Sequence, residues 1–507
     1  MLDQQNHRIG LLERAQPANA DAGENDIQRQ PTRTDAPESS PGVAAGPAGP
    51  TFDSRLARLF GWPRRLIEAG KYRFTCYVFC HLWLLKFVFG VLRVVRPIMI
   101  FGKVAVVTKA EDIREVLERF DDFELGGVIA PGMPWGPFLM TVDWREQHKC
   151  ERQMLESAVC PATDLHTIRT IAAEVCRSRI EALADTGQLD VVADLAEPVM
   201  VRIFADYIGV PPLDGSEQRM AHAMRHLAGI IMVNPPMDSP AWRDSRDDMV
   251  GVTRQLLDQL ATQHTAGVTP ITPRQTLFSR LIRRHGASNR PAWFDEDWIR
   301  CYLTGLVATG GATVIRGTAH TVDQLLERGN ALERAQQLVR LLDQAEQHAA
   351  DTSPPPKEED AEVTKLRDAL RLCIYEALRF RPMLPLLVRD CPRQTVIAKG
   401  TPRARLMPAG THVIVPPLAA MFDAEAFPNP SAFSERPIES YFHFGFGPRR
   451  CFGKYIADIV LLEVVRALAR LPGLERARGS AGQVSYEGPA PSSLTVTFDA
   501  RDSGARP

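Results

Sequence analysis

One stretch near the C-terminus constrains this chain more than any other. FHFGFGPRRCFG, residues 442–453, sets Cys451 in a frame of Phe444, Gly447, Arg449 and Gly453, the spacing FxxGxRxCxG. A thiolate held at one point needs donors and positive potential, which the amides of a Gly-rich turn and the N-terminus of a following helix supply. Gly447 and Gly453 permit backbone conformations and close approaches that a Cβ would block. Arg449 is placed to pair with an anion, and Phe444 to shield the sulfur from water. IADIVLLEVVRALARL then puts Ile456, Ile459, Val460, Val464 and Leu468 at helical spacing. The cysteine therefore sits where a loop enters a buried helix. A free core cysteine in an ordinary turn is the plainer alternative, and the segments upstream weigh against it.

In CIYEALRFRP, Glu376 and Arg379 lie three apart on one helical face. Alone, this ExxR spacing also describes a surface pair. Glu376 lies 75 positions before Cys451, with Phe427, Pro428, Pro430 and Phe433 of FPNPSAFSERP between them. DWREQHKCERQML carries His148 and Arg152 at HxxxR spacing, and LLVRDCP carries Arg389 ten residues after Arg379. In this order the segments resemble the cytochrome P450 family of haem-thiolate monooxygenases, over roughly residues 95–500. The resemblance implies a mainly α fold with small β-sheets, a single large haem domain with the haem between a long central helix and the cysteine helix. It implies haem b, iron protoporphyrin IX, with Cys451 as the axial thiolate and metal ligand. Arg449, His148, Arg152 and Arg389 would hold the haem carboxylates, and Glu376 and Arg379 would form a buried structural pair tied to Arg436 or a neighbour. Without the family order, His148 reads as a solvated surface histidine.

From Phe294 to about Leu326 there is no proline, and the run reads as one helix of about 50 Å. Its centre, GLVATGGATVIRG, aligns with the family's acid-alcohol signature, in which the acid and the hydroxyl help deliver protons during oxygen activation. Gly310 and Thr313 are present and are the expected catalytic positions; the acid position is Ala312. Thr313 can order a water, whereas Ala312 cannot relay a proton. A helix hydroxyl bonded back to the preceding turn is the plainer role for Thr313. Gly310 and Gly311 each cost about 1 kcal/mol relative to Ala in a helix interior, and a local widening of the helix would account for that.

With 507 residues and 45% apolar content the chain can bury a large core. A net charge of −1 leaves no nucleic-acid footprint. Nine scattered cysteines fit a reducing compartment, and Cys76 and Cys80 read as packed thiols. The start MLDQQNHRIG lacks the charged and apolar regions of a secretory leader. Three regions are expected: a disordered tail over 1–50, an apolar helix and first strand over 51–101, and a haem-thiolate catalytic domain over 102–507. EQHAADTSPPPKEEDAE at 346–362 reads as a surface loop and NPPMDSP at 234–240 as a break between helices. The apolar run at 74–101 is long enough to span a bilayer. His81, Lys86, Arg93 and Arg96 interrupt it, which favours a helix packed at the edge of the fold, with peripheral membrane contact left open. Localisation is expected to be cytoplasmic, and the chain a monomer.

The pocket is expected to be lined by 126–140, with Trp135 and Phe138, by Leu306 to Thr313, by 383–387 and by 489–496. These are mostly apolar, which points to a lipophilic small-molecule substrate. The leading reading is a monooxygenase fed by a separate ferredoxin or flavoprotein, docking near Arg450 and Lys454. Ala312 motivates a second, an enzyme that consumes peroxide or rearranges a hydroperoxide. A non-catalytic haem sensor or electron carrier is the third, and it leaves Thr313 without a use.

Overall fold

Three signals in the chain set its framework: the proline-free run after Phe294, the amphipathic run after the cysteine loop, and short β-branched stretches between helices. In a computed structural model, residues 70, 72–129, 136–233, 240–265, 276–351 and 360–500 are described. They belong to one unit that begins at Glu68. The tail over 1–50, residues 234–239 and Trp135 lie outside the described residues.

The helices in chain order are α1 (Tyr72–Cys80), α2 (Leu82–Val95), α3 (Ala110–Glu118), α4 (Gly126–Ile129), α5 (Arg145–Ser157), α6 (Pro161–Leu183), α7 (Glu197–Arg202) and α8 (Glu217–Val233). There follow α9 (Pro240–Thr265), α10 (Leu277–His285), α11 (Glu296–Glu327), α12 (Gly329–Asp351), α13 (Ala361–Phe380), α14 (Pro417–Ala420) and α15 (Lys454–Ala469). The strands are β1 (Ile98–Phe101), β2 (Val104–Val107), β3 (Gln188–Asp190), β4 (Leu387–Cys391), β5 (Thr395–Ile397) and β6 (Arg405–Met407). The last five are β7 (Thr411–Val415), β8 (Glu475–Arg476), β9 (Ser485–Glu487), β10 (Ala490–Ser493) and β11 (Thr495–Thr497). They pair as small sheets in the orders β1-β2-β7-β4, β3-β11-β8, β10-β9 and β5-β6.

The long central helix is α11, 32 residues or about 48 Å. Asp295 caps it by accepting from the Trp298 amide, and Glu296 and Asp297 complement the N-terminal dipole. In α15 the five residues predicted to face inward are all buried. Burying a large apolar side chain contributes about 1.5–3 kcal/mol, so these two helices carry much of the core. Phe444, at the head of the cysteine loop, packs against all three of the larger apolar clusters.

Two expectations about the chain's edges change. Residues 352–359 of the loop expected at 346–362 lie outside the described residues, and the loop is helical at both ends, where α12 runs to Asp351 and α13 starts at Ala361. Glu346 is pinned there by ion pairs with Arg367 and Arg466. The apolar run at 74–101 is two helices bent by 82° about His81, followed by β1. Two of its charges turn inward: Arg93 donates to Thr108, Phe422 and Ala419 carbonyls, and Lys86 lies 4.5 Å from the Phe422 ring centroid. Trp83, Phe87, Val91 and Val94, three or four apart, face solvent instead. No single helix among the described residues is long and apolar enough to cross a membrane; α1 and α2 meet that test only as a bent pair.

Candidate active site

The cysteine loop is built on one enforced glycine. Gly447 has φ +69°, and a Cβ there would lie 2.8 Å from the Glu118 Cα and 3.0 Å from the Leu117 carbonyl oxygen. The turn Gly447–Arg449 follows, and the Cys451 amide donates to the Phe444 carbonyl at 2.9 Å. Gly453 caps α15, and a Cβ on it would meet only the Cys451 sulfur, at 3.9 Å. Cys451 is exposed yet crowded by protein, and desolvation pushes its thiol up. The Gly453 amide and the Arg152 and Lys454 cations oppose that shift.

Beside the loop is a buried concentration of positive charge. Arg449 is almost fully buried, pairs with Asp143, and stacks 4.1 Å from the Phe120 ring centroid. Its Nε is buried with no hydrogen-bond partner among the described residues. Arg389 projects from the inner face of β4, donates to the Val388 carbonyl at 2.8 Å, and has no ion pair among the described residues. Burial, and then the charge of Arg449, lower its pKa to about 10. His148 is buried, 5.0 Å from the Phe120 ring, and burial with Arg449 and Arg152 nearby holds it down to about 4. The solvated histidine expected from His148 taken alone is thus not what forms, because α5 turns it against Phe120. Arg152 pairs with Glu156 and donates to the carbonyls of Arg450 (2.7 Å) and Pro448 (3.3 Å). In this structure it braces the loop that carries Cys451.

A haem fits this donor set. Buried Arg449 and Arg389 have one ion-pair partner between them among the described residues, Asp143, with Glu124 near Arg449; that balance and one orphaned guanidinium N–H call for further anions. Two haem carboxylates supply such anions, and Cys451 projects from a loop at the N-terminus of α15.

Glu376 and Arg379 are both fully buried, with the Arg379 Nη2 donating to Glu376 Oε1 at 2.7 Å. Arg379 also donates to the carbonyls of Met421, Pro430 and Ala432. Glu376 accepts from the Ser434 amide, Arg436 and the Tyr441 hydroxyl. A buried ion pair is tolerated when its remaining hydrogen-bonding capacity is filled in this way. It ties α13 to the segment that leads into the cysteine loop.

The long helix α11 packs against both α13 and α15. Thr313 donates to the Thr309 carbonyl at 2.7 Å and also lies 3.1 Å from the Gly310 carbonyl oxygen. Its one proton is spent on the helix, and its lone pairs remain to accept. The expected widening at Gly310 and Gly311 is absent: α11 is continuous, and the π-helical turns are at Val191–Ala196 and Ile203–Ile208. Packing accounts for Gly311, where a Cβ would lie 2.4 Å from the Met224 sulfur. At Gly310 it would make only an ordinary 3.5 Å contact with Phe204. Ala312 is buried against Ala490 of β10 and Met232. Of the segments expected to line the pocket, Phe138 packs against Gly305 and Met383 against Gly317 of α11.

Sequence reasoning missed Asp143, Phe120, Asp458 and the Glu151–Tyr302 pair. Asp143 accepts from the Leu125 and Gly126 amides and so fixes Arg449 from the opposite side. Asp458, on α15, accepts from the Tyr375 hydroxyl at 2.6 Å and from Lys454. The Tyr302 hydroxyl donates to Glu151 and joins α11 to α5. The one available signal was Asp143 itself, an acid just ahead of the HxxxR helix.

Comparison with known proteins agrees with this geometry. The family model described as Cytochrome P450 matches residues 93–467. The steroid C26-monooxygenase of Mycolicibacterium smegmatis is 25% identical over 357 residues, 70% of this chain and 77% of that protein. The linoleate diol synthase of Gaeumannomyces graminis is 42% identical over 83 residues, 16% of this chain and only 7% of that much longer relative. The open structure of cytochrome P450 Eryk from S. erythraea superposes with a TM-score of 0.63 at 21% identity, covering 83% of this chain and 98% of that one, and shows the fold. The matched span contains Cys451, the Glu376–Arg379 pair, His148, Arg389 and Thr313, and on that span the chain belongs to the cytochrome P450 family of oxidoreductases.

Proposed function

We propose that this chain inserts one oxygen atom of dioxygen into a lipophilic substrate, with electrons from a separate ferredoxin or flavoprotein. The observation that carries the reading is a cysteine on a Gly-enforced loop that also holds buried Arg449, close to a second buried cation, Arg389, which has no ion pair among the described residues. Cys451 would ligate the haem iron, and Arg449, Arg389 and His148 would hold its carboxylates. When bound there, the haem would supply oxygen activation driven by stepwise electron transfer. Thr313 Oγ1, with its own proton directed to the Thr309 carbonyl, accepts a hydrogen bond from a water and positions it beside the reacting centre. The apolar residues along α11 exclude bulk water. The steroid and fatty-acid names of the relatives support a lipophilic substrate. For a redox partner, exposed Arg450 is available, whereas Lys454 is engaged with Asp458.

One observation favours a second reading. Ala312 is packed in an apolar contact and no carboxylate is bonded to Thr313 among the described residues, which suits an oxidant that already carries its protons, a peroxide or hydroperoxide. Turnover separates the two. The leading reading expects product with NADPH, a ferredoxin and its reductase; product only with added peroxide, while competent partners give none, would reject it.

We also propose peripheral membrane contact through α1, α2 and β1. Phe74, Trp83, Phe87, Val94, Val95 and Phe101 are all exposed along this segment, as are Arg96 and Lys103, the mix of apolar and basic groups found in interfacial segments.

A further inference from the structure

Outside the haem site, one helix turn offers two imidazoles to the same point. His222 and His226 of α8 have ring centroids 3.9 Å apart. Glu487 of β9 approaches them, so that one ligand atom from each of the three residues lies within 4.8 Å of the others. Two histidines at i and i+4 are the spacing by which a helix grips one metal ion.

The surroundings orient these groups. His226 Nδ1 lies 3.2 Å from Asp248 Oδ2 of α9, near but outside hydrogen-bond geometry, and its Nε2 lies 3.7 Å from Glu487 Oε1. A carboxylate on the far nitrogen fixes a ligating imidazole and raises its basicity. The other oxygen of Glu487 takes the Arg225 Nε at 3.1 Å, and Arg225 is in turn paired with Glu197. Against one guanidinium stand three carboxylates, so the local charge favours a cation. In a tetrahedral site with ligand bonds of about 2.0–2.1 Å the donor atoms lie about 3.3–3.4 Å apart. Closing to that separation takes a small shift for the 3.7 Å pair and side-chain rotation for separations of up to 4.8 Å.

We propose that His222, His226 and Glu487 form a binding site for a divalent transition-metal ion of the zinc type, with a remaining coordination position left to water. The site joins two elements that both touch the centre of α11: α8 brings Met224 against Gly311, and the β9–β10 hairpin brings Ala490 against Ala312. A bound ion cross-links them and stiffens the wall beside Thr313.

The test uses the full, haem-loaded, untagged chain, cleared of metal with a chelator and dialysed against Zn²⁺, with bound zinc counted by elemental analysis. We expect one tightly held equivalent and a melting temperature raised by Zn²⁺. His222→Ala, at an exposed position where folding is not at stake, loses that equivalent and the shift. Asp248→Asn weakens binding by about 10–100-fold. Both variants keep the haem spectrum of the parent. No zinc retained by the parent, or an equivalent retained undiminished by His222→Ala, overturns the site and assigns any bound ion to another group such as exposed Cys150 or Cys160.

Discussion

Gly447 and Gly453 occupy the same motif for different reasons. At Gly447 both the positive φ and the Glu118 backbone oppose any side chain; left-handed backbone alone costs a non-glycine residue about 1–2 kcal/mol. Gly447→Ala is therefore expected to lower the melting temperature and reduce haem retention. Gly453→Ala meets ordinary contact and should leave both close to the parent values, with thermal melts and haem content per chain as the measurements. Equal losses would show that the loop is not shaped as described. Residues of this kind were legible because their constraint is local and falls within a ten-residue pattern. Asp143 and Phe120 were not, because their contacts with Arg449 join positions more than 300 apart, and nothing in the sequence reports such a distance.

Among the elements, α11 and α15 were readable from a proline-free run and a helical apolar period. The bend at His81 and the π-helical turns were not, since they follow from tertiary packing. Ala312 shows how the element limits a residue. An Asp placed there would be a buried carboxylate against Ala490 and Met232, at a cost of at least about 1–3 kcal/mol. Ala312→Asp is thus expected to lower the melting temperature without improving the coupling of oxygen consumption to product, and a better-coupled enzyme of unchanged stability would contradict this packing. The contact between α13 and the cysteine loop carries a pH signature. His443 Nε2 donates to the Tyr375 carbonyl at 2.9 Å, its Nδ1 is buried without a partner among the described residues, and burial holds the imidazole down to about 4 from 6.5. The folded chain then binds fewer protons here than the unfolded one between those values, so this contribution is complete above pH 6.5 and is lost as the pH falls toward 4. Urea midpoints from pH 7 to pH 4.5 should fall, and less steeply in His443→Asn; identical slopes would remove His443 as a source.

For the whole molecule, fold and family were legible because five short motifs occur in a fixed order, although none defines the fold alone. The facing of α2, with Lys86 and Arg93 turned inward and Trp83 and Phe87 outward, was not legible, because composition records both sets without their directions. Its consequence is measurable: the chain should partition onto vesicles containing anionic lipid, and Trp83→Glu with Phe87→Glu should reduce that several-fold while leaving haem content unchanged. Equal partitioning of parent and variant would deny this face a role at the membrane. The central claim is the bond between Cys451 and haem iron. It is tested most directly by the absorption spectrum of the reduced carbon monoxide complex: the parent should show the strongly red-shifted Soret band of thiolate ligation and Cys451→Ser should lose it, whereas an unshifted band in folded, haem-loaded parent protein would contradict the account.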